Sequence, residues 1–169
     1  RTIFNILGPL TNPAGANVQV MGVFSPALTE SLAQVLGRLG ARRALVVCGE
    51  GNLDEITITG ATRVSDWCNG DVTTYSIHPS ELGMATASLA EIKGGITAVE
   101  AAAQLRFVLS GKAGPCLDMV LLNAGAALMA GRSDDLASGV ALAREVVVSG
   151  AALHKVDALV SFSKSVQKL

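Results

Sequence analysis

Residues 18–48 read VQVMGVFSPALTESLAQVLGRLGARRALVVC, and this stretch decides the fold class. Val18 to Phe24 is a short apolar run of strand character. Ser25-Pro26 follows, an N-capping residue and a proline suited to the first helical position. Leu28, Leu32, Val35, Leu36 and Leu39 then fall on one helical face, and Gly40 supplies the stop. Arg43 to Cys48 is a second strand whose unbroken apolar run predicts burial on both faces, as in a parallel sheet. Strand, helix and strand in this order predict a βαβ unit and place the chain in the α/β class.

Downstream, the pattern changes. Ile56 to Thr59, Thr62 to Trp67 and Val72 to Ile77 alternate polar and apolar residues, and Asn69-Gly70 between the last two is a strong hairpin signal. These segments are expected to be antiparallel strands, so the sheet is mixed. Pro79 to Lys93 carries only a weak pattern. The remainder reads as helical: Thr97 to Glu100 is a capping box opening a helix to about Leu109, and Pro115 to Met129 is a second helix. Ser133 is expected to cap a third, with Asp134 and Asp135 in its first turn, and a fourth follows Gly150 to about Ser163. No repeat or linker interrupts residues 1–169, which read as a single α/β domain: a central mixed sheet flanked by helices, with an antiparallel hairpin and a helical C-terminal half.

The opening stretch, RTIFNILGPLTNP at 1–13, is of a different kind. Two prolines and a glycine on an apolar background predict an irregular backbone, since each proline removes a donor and fixes φ. Arg1 carries a planar fork of donors that pairs bidentately with a carboxylate or phosphate. The segment either lines a pocket for a flat polar molecule or merely packs on the domain.

Composition narrows the function classes. The chain has 169 residues, half of them apolar and 16% charged, with 13 basic and 14 acidic side chains. Net charge is -1 and aromatics are 4%, so the basic patch and stacking platforms of a nucleic-acid binder are both missing. No apolar run reaches the ~20 residues that span a bilayer. Three widely spaced cysteines, Cys48, Cys68 and Cys116, form no metal or redox motif and point to free thiols in a reducing cytoplasm.

Chemistry concentrates at Gly49-Glu50-Gly51-Asn52-Leu53-Asp54-Glu55, directly after the predicted buried strand. Ligands in open α/β sheets gather at the C-terminal ends of strands. Asp54 and Glu55 are either solvated loop charges or two hard oxygen ligands of the kind Mg2+ takes beside a phosphorylated substrate. Adjacent residues of a regular strand point to opposite faces, so the two converge only where the backbone bends, or else serve two ions. His78 and His154 have no partner at ligand or triad spacing, no nucleophile elbow or dinucleotide fingerprint occurs, and Asn123, inside an apolar helix, reads as a satisfied core amide.

Together, the 1–13 stretch and the Gly-x-Gly-x-Leu-Asp-Glu loop at 49–55 resemble the signatures of anthranilate phosphoribosyltransferase. Val120 to Ala124 and Gly139 to Glu145 are similar to that family's C-terminal half. The resemblance implies a nucleoside phosphorylase/phosphoribosyltransferase C-terminal-like fold. It also implies attack of the anthranilate amine on C1 of phosphoribosyl pyrophosphate, with loss of pyrophosphate, in tryptophan biosynthesis. Arg1 would bind anthranilate through its carboxylate, Asp54 and Glu55 would hold Mg2+ on the diphosphate, and the intact enzyme would be a cytoplasmic homodimer acting on small molecules, with no nucleic-acid or membrane partner.

Two residues depart from the family pattern: Cys48 stands where a His or another polar or aromatic residue is usual, and Asn52 replaces a common Gly. Members of the family are longer. Their N-terminal helical domain and Gly-Thr-Gly-Gly-Asp diphosphate loop have no match here, so the chain is expected to be a C-terminal fragment, nearly inactive alone. A pyrimidine nucleoside phosphorylase-like enzyme and a non-catalytic binding or assembly module of the same fold are the rival readings.

Overall fold

The computed structural model describes residues 4–132 and 135–166. The βαβ unit forms as the sequence predicts. Strand β1 (Val18–Gly22) is parallel to β2 (Arg43–Gly49), and helix α2 (Thr29–Arg38) connects them. Strands β3 (Thr62–Cys68) and β4 (Asp71–Ile77) follow as an antiparallel hairpin, and β3 lies antiparallel to β2. The result is a four-stranded mixed sheet in the order β1-β2-β3-β4. The hairpin turns at Asn69 and Gly70, both with positive φ (53° and 92°), as the Asn-Gly signal requires.

Strand β2 is buried along nearly its whole length because both faces of the sheet are covered. Ala44, Val46 and Cys48 pack with Met21, Val23, Leu32 and Leu36 on the α2 side. Leu45 and Val47 face the opposite way and join Ile56, Ile58, Val64 and the C-terminal helices. Those helices are α3 (Ala98–Leu109), α4 (Pro115–Gly131), α5 (Leu136–Val148) and α6 (Ala151–Val166). Leu117, Leu121 and Leu122 of α4 and Val140 and Val147 of α5 supply most of the second core.

Four expectations need correction. Phe4–Leu10 is a short helix, α1, with Pro9 inside it. The proline forfeits one helix bond, but Ile6 and Leu10, four residues apart, both pack on the α2-side core, and burial outweighs local propensity. Ile56 to Thr59 is not a strand: β3 already occupies the edge of β2, and Ile56, Thr57 and Ile58 are all buried in a bent segment. Helix α2 begins at Thr29. Pro26–Leu28 is a single 3₁₀ turn whose flanking Ser25 makes no side-chain cap bond, and Leu39 is 61% exposed. Helix α5 is capped by Asp135 itself, whose carboxylate accepts the Ser138 N–H at 2.8 Å; Ser133 and Asp134 lie outside the described residues.

The capping box of α3 is present as read, with Thr97 accepting from the Glu100 N–H and Glu100 accepting from the Thr97 N–H. Hydrogen bonds from Thr97 hold the Glu100 carboxyl below its ordinary pKa, and bonds from Ser138 do the same for Asp135. A carboxyl whose folded pKa is depressed contributes stability that is present above its unfolded pKa and is lost as pH falls through the folded value. Stability is therefore expected to decline below about pH 4. In urea titrations from pH 6 to 3, Glu100→Gln with Asp135→Asn should flatten that decline, and an unchanged acid limb would show the caps carry none of it.

Candidate functional site

At the C-terminal end of β2 the chain makes a tight loop. Glu50–Asn52 form a 3₁₀ turn in which Gly51 and Asn52 both have positive φ (74° and 62°). Asn is among the non-glycine residues that best tolerate this region, so Asn52 fits the turn. The Gly49 N–H donates to the Leu53 carbonyl at 2.8 Å and closes the loop. The backbone then bends at both Asp54 and Glu55, the condition under which adjacent carboxylates leave opposite faces of a strand.

The loop fits because the strand ends beneath it are bare. A Cβ on Gly22, the last residue of β1, would collide with the Asp54 carbonyl, and one on Gly49 would lie 2.7 Å from the Glu55 carbonyl. Glycine is required at both positions for close backbone approach, not for unusual φ. Beyond the acidic pair, Ile56 and Ile58 plug into the core against α4, 2% and 0% exposed. The Thr57 N–H donates to Thr62 Oγ1 at 3.0 Å. Asn123 of α4 accepts the Ile56 N–H at 3.0 Å and donates to the Ile56 carbonyl at 2.8 Å.

The two carboxylates sit on the solvent-accessible side of this scaffold. Both residues are exposed. The described residues offer neither carboxylate an ion pair or a hydrogen bond. They also contain no cluster of three or more His, Cys, Asp or Glu side chains able to enclose a metal. Two hard oxygen donors with no third protein ligand among the described residues suit a cation that keeps its waters and shares a phosphate, which is Mg2+ behaviour, and do not suit a resident structural metal. A cavity of about 280 Å³ beside the loop is lined by Glu50, Gly51, Asn52, Arg63 and Ser76, and Asp54 and Glu55 are not among its walls.

Other candidate residues fall as follows. Arg1 lies outside the described residues, so its position relative to Asp54 and Glu55 is not described; the α1 helix that follows it packs on the α2 side of the sheet. Cys48 is buried beneath the loop, 4% exposed. His78 flanks a 3₁₀ turn, with Nδ1 2.8 Å from Ser80 Oγ, and His154 is exposed on α6. Asn123 is the satisfied amide the sequence predicts, but its partner is the segment that carries the acidic pair. The signal was an amide within an apolar helix, which must find a partner somewhere. The sequence showed no sign of the roles of Gly22 and Gly49.

The model of the glycosyl transferase family, a/b domain, matches residues 1–153. This chain belongs to that family. The α/β domain is 60% identical to anthranilate phosphoribosyltransferase of Desulfotalea psychrophila, across 96% of this chain and 47% of that protein. Its fold superposes with a TM-score of 0.87 on the crystal structure of anthranilate phosphoribosyltransferase from Thermus thermophilus. The two are 47% identical, and the match covers 96% of this chain and 48% of that one. Anthranilate phosphoribosyltransferase from Saccharomyces cerevisiae in complex with PRPP and Mg gives a TM-score of 0.80 at 26% identity, over 100% of this chain and 48% of that one. The glycosyl transferase domain thus spans about half the length of the relatives it matches. Among its described residues no single helix is long and apolar enough to cross a membrane.

Proposed function

We propose that the chain is the C-terminal α/β part of an anthranilate phosphoribosyltransferase, transferring the phosphoribosyl group of phosphoribosyl pyrophosphate to anthranilate in tryptophan biosynthesis. The observation that carries this reading is the 60% identity to the Desulfotalea psychrophila enzyme across 96% of the chain. The geometry of the acidic loop agrees with it. Asp54 and Glu55, exposed and without a partner among the described residues at the end of a buried strand, are the groups that would hold Mg2+ on the diphosphate. Bound there, a divalent cation would supply charge neutralisation to the departing pyrophosphate.

The side chains contribute by binding and orienting. Anthranilate's aromatic amine is itself the nucleophile, so no side-chain nucleophile is needed, and positioning with electrostatic stabilisation supplies the catalysis. Arg1 is assigned to the anthranilate carboxylate, which its guanidinium matches bidentately. The complete enzyme is taken to be a cytoplasmic homodimer. Large apolar side chains left on the surface here, Phe4, Phe107 and Phe162 among them, support an assembly that covers more than this domain.

The test uses the complete protein containing this chain, with phosphoribosyl pyrophosphate, Mg2+ and anthranilate. Formation of N-(5-phosphoribosyl)anthranilate with release of pyrophosphate is expected. Phosphorolysis of thymidine or uridine in its place would favour the nucleoside phosphorylase reading and end this one. The 169-residue chain alone should show at most vestigial turnover, because the glycine-rich diphosphate loop of the family has no match in it. Turnover by the isolated chain at the rate of the complete protein would overturn that expectation.

A further inference from the structure

We propose that Asn123 is the positioning residue of the acidic loop, setting the Asp54 and Glu55 carboxylates through the backbone of Ile56; this rests on the metal reading of that pair. Ile56 follows Glu55 directly, and one side chain takes both of its backbone polar groups: the N–H donates to Asn123 Oδ1 at 3.0 Å and the carbonyl accepts from Nδ2 at 2.8 Å. The remaining Nδ2 hydrogen reaches the Met119 carbonyl at 3.0 Å, one turn back on α4. The amide therefore cannot flip. Reversing it would set NH2 against the Ile56 N–H and the oxygen against two carbonyls.

The chemistry of the pin is specific to Asn. A planar head with a donor and an acceptor side by side reproduces one rung of a β-ladder, in place of a neighbouring strand. Aspartate retains the acceptor and loses the donor. Leucine fills the space and satisfies nothing. Together with the bare strand ends at Gly22 and Gly49, Asn123 fixes the acidic residues from both sides: two close contacts to their own carbonyls and one hydrogen-bonded pair to the next residue. The carboxylates, which have no side-chain partners among the described residues, depend on that backbone for their separation. A helix of the C-terminal half thereby holds a loop of the βαβ half in register.

The experiment measures binding of Mn2+, a hard octahedral substitute for Mg2+, together with inorganic diphosphate to the complete protein containing this chain, by calorimetry against a protein-free Mn2+-diphosphate blank. Wild type is compared with Asn123→Ala, Asn123→Asp, the double variant Asp54→Ala/Glu55→Ala, and Leu36→Val, a core change on the other face of the sheet. Exchange of the Ile56 amide hydrogen is followed in parallel. Both Asn123 variants are expected to weaken Mn2+ binding about ten-fold, the scale of groups that orient metal ligands. Ile56 exchange should rise in Asn123→Ala, while Leu36→Val loses melting temperature and keeps its affinity. Asn123→Asp keeps the acceptor for the Ile56 N–H and carries the comparison should the Ala variant not fold.

Full wild-type affinity in either folded Asn123 variant overturns the proposal and leaves the metal reading intact. So does a loss that Leu36→Val shares in proportion to its melting temperature. Equal binding by wild type and by the Asp54→Ala/Glu55→Ala variant overturns the metal reading itself, and this proposal with it.

Discussion

Replacing Asp54 and Glu55 together by alanine in the complete enzyme is expected to lower turnover at least ~100-fold, the scale of losing a principal charge-stabilising element of a transition state. Thermal stability should barely move. Both carboxylates are exposed and have no partner among the described residues, and surface substitutions away from caps, cores and networks usually stay within about 0.5 kcal/mol. Removing two adjacent like charges from a bend even relieves a small repulsion. The separation of the two readouts is the informative part. A turnover within ten-fold of wild type across a Mg2+ titration, or a collapse of the melting temperature that accounts for the lost rate, would remove the pair from the site.

The second large effect is on stability. Arg43 at the start of β2 donates through Nη2 to Asp66 Oδ2 at 2.8 Å and through Nε to Oδ1 at 3.3 Å, and its Nη1 reaches the Met129 carbonyl at 3.0 Å near the C-terminus of α4. The pair is largely buried, with 17% and 11% of the two side chains exposed. The hydrogen bond to Asp66, set against desolvation, raises the Arg43 pKa further, so the guanidinium stays charged at any pH the fold survives. Arg43→Met is expected to cost about 3 kcal/mol in urea unfolding, because it strands the Asp66 carboxylate in a low-dielectric interface.

Adding Asp66→Leu should restore much of that loss, since a hydrophobic pair can replace a buried ion pair at little net cost. The exposed pair Arg106–Asp157 offers the contrast: its side chains are 46% and 52% exposed, and Arg106→Met should cost well under ~1 kcal/mol. A loss below ~1 kcal/mol for Arg43→Met would show that solvent reaches Asp66 and that the clamp between sheet and helix is weak.

Period and turn chemistry made most of the elements legible from residues alone. A strand buried on both faces must be apolar throughout, which marked Arg43 to Cys48, and an Asn-Gly pair accepts the positive φ of a two-residue hairpin turn. The capping box at Thr97 and Glu100 is local chemistry within four residues, and local chemistry survives translation into three dimensions. The errors fell where the deciding partner is remote in sequence. Phe4 to Leu10 became a helix because Ile6 and Leu10 found a core built by α2 and β2, and Ile56 to Thr59 lost its strand because β3 had taken the edge of β2 that β1 leaves open.

The acidic pair shows the same division. Two adjacent carboxylates after a glycine-rich turn could be read directly, since their chemistry is intrinsic to the side chains. Whether they present as a pair depends on the backbone bends at 54 and 55, on two bare glycines from different strands and on an amide 67 positions from the residue it binds. Close approach and pairing across such separations are properties of the packed molecule. Sequence alone therefore decided which groups this protein can offer, and tertiary structure alone decided that they stand exposed, with no partner among the described residues, on a backbone held from below by two strands and from one side by a helix.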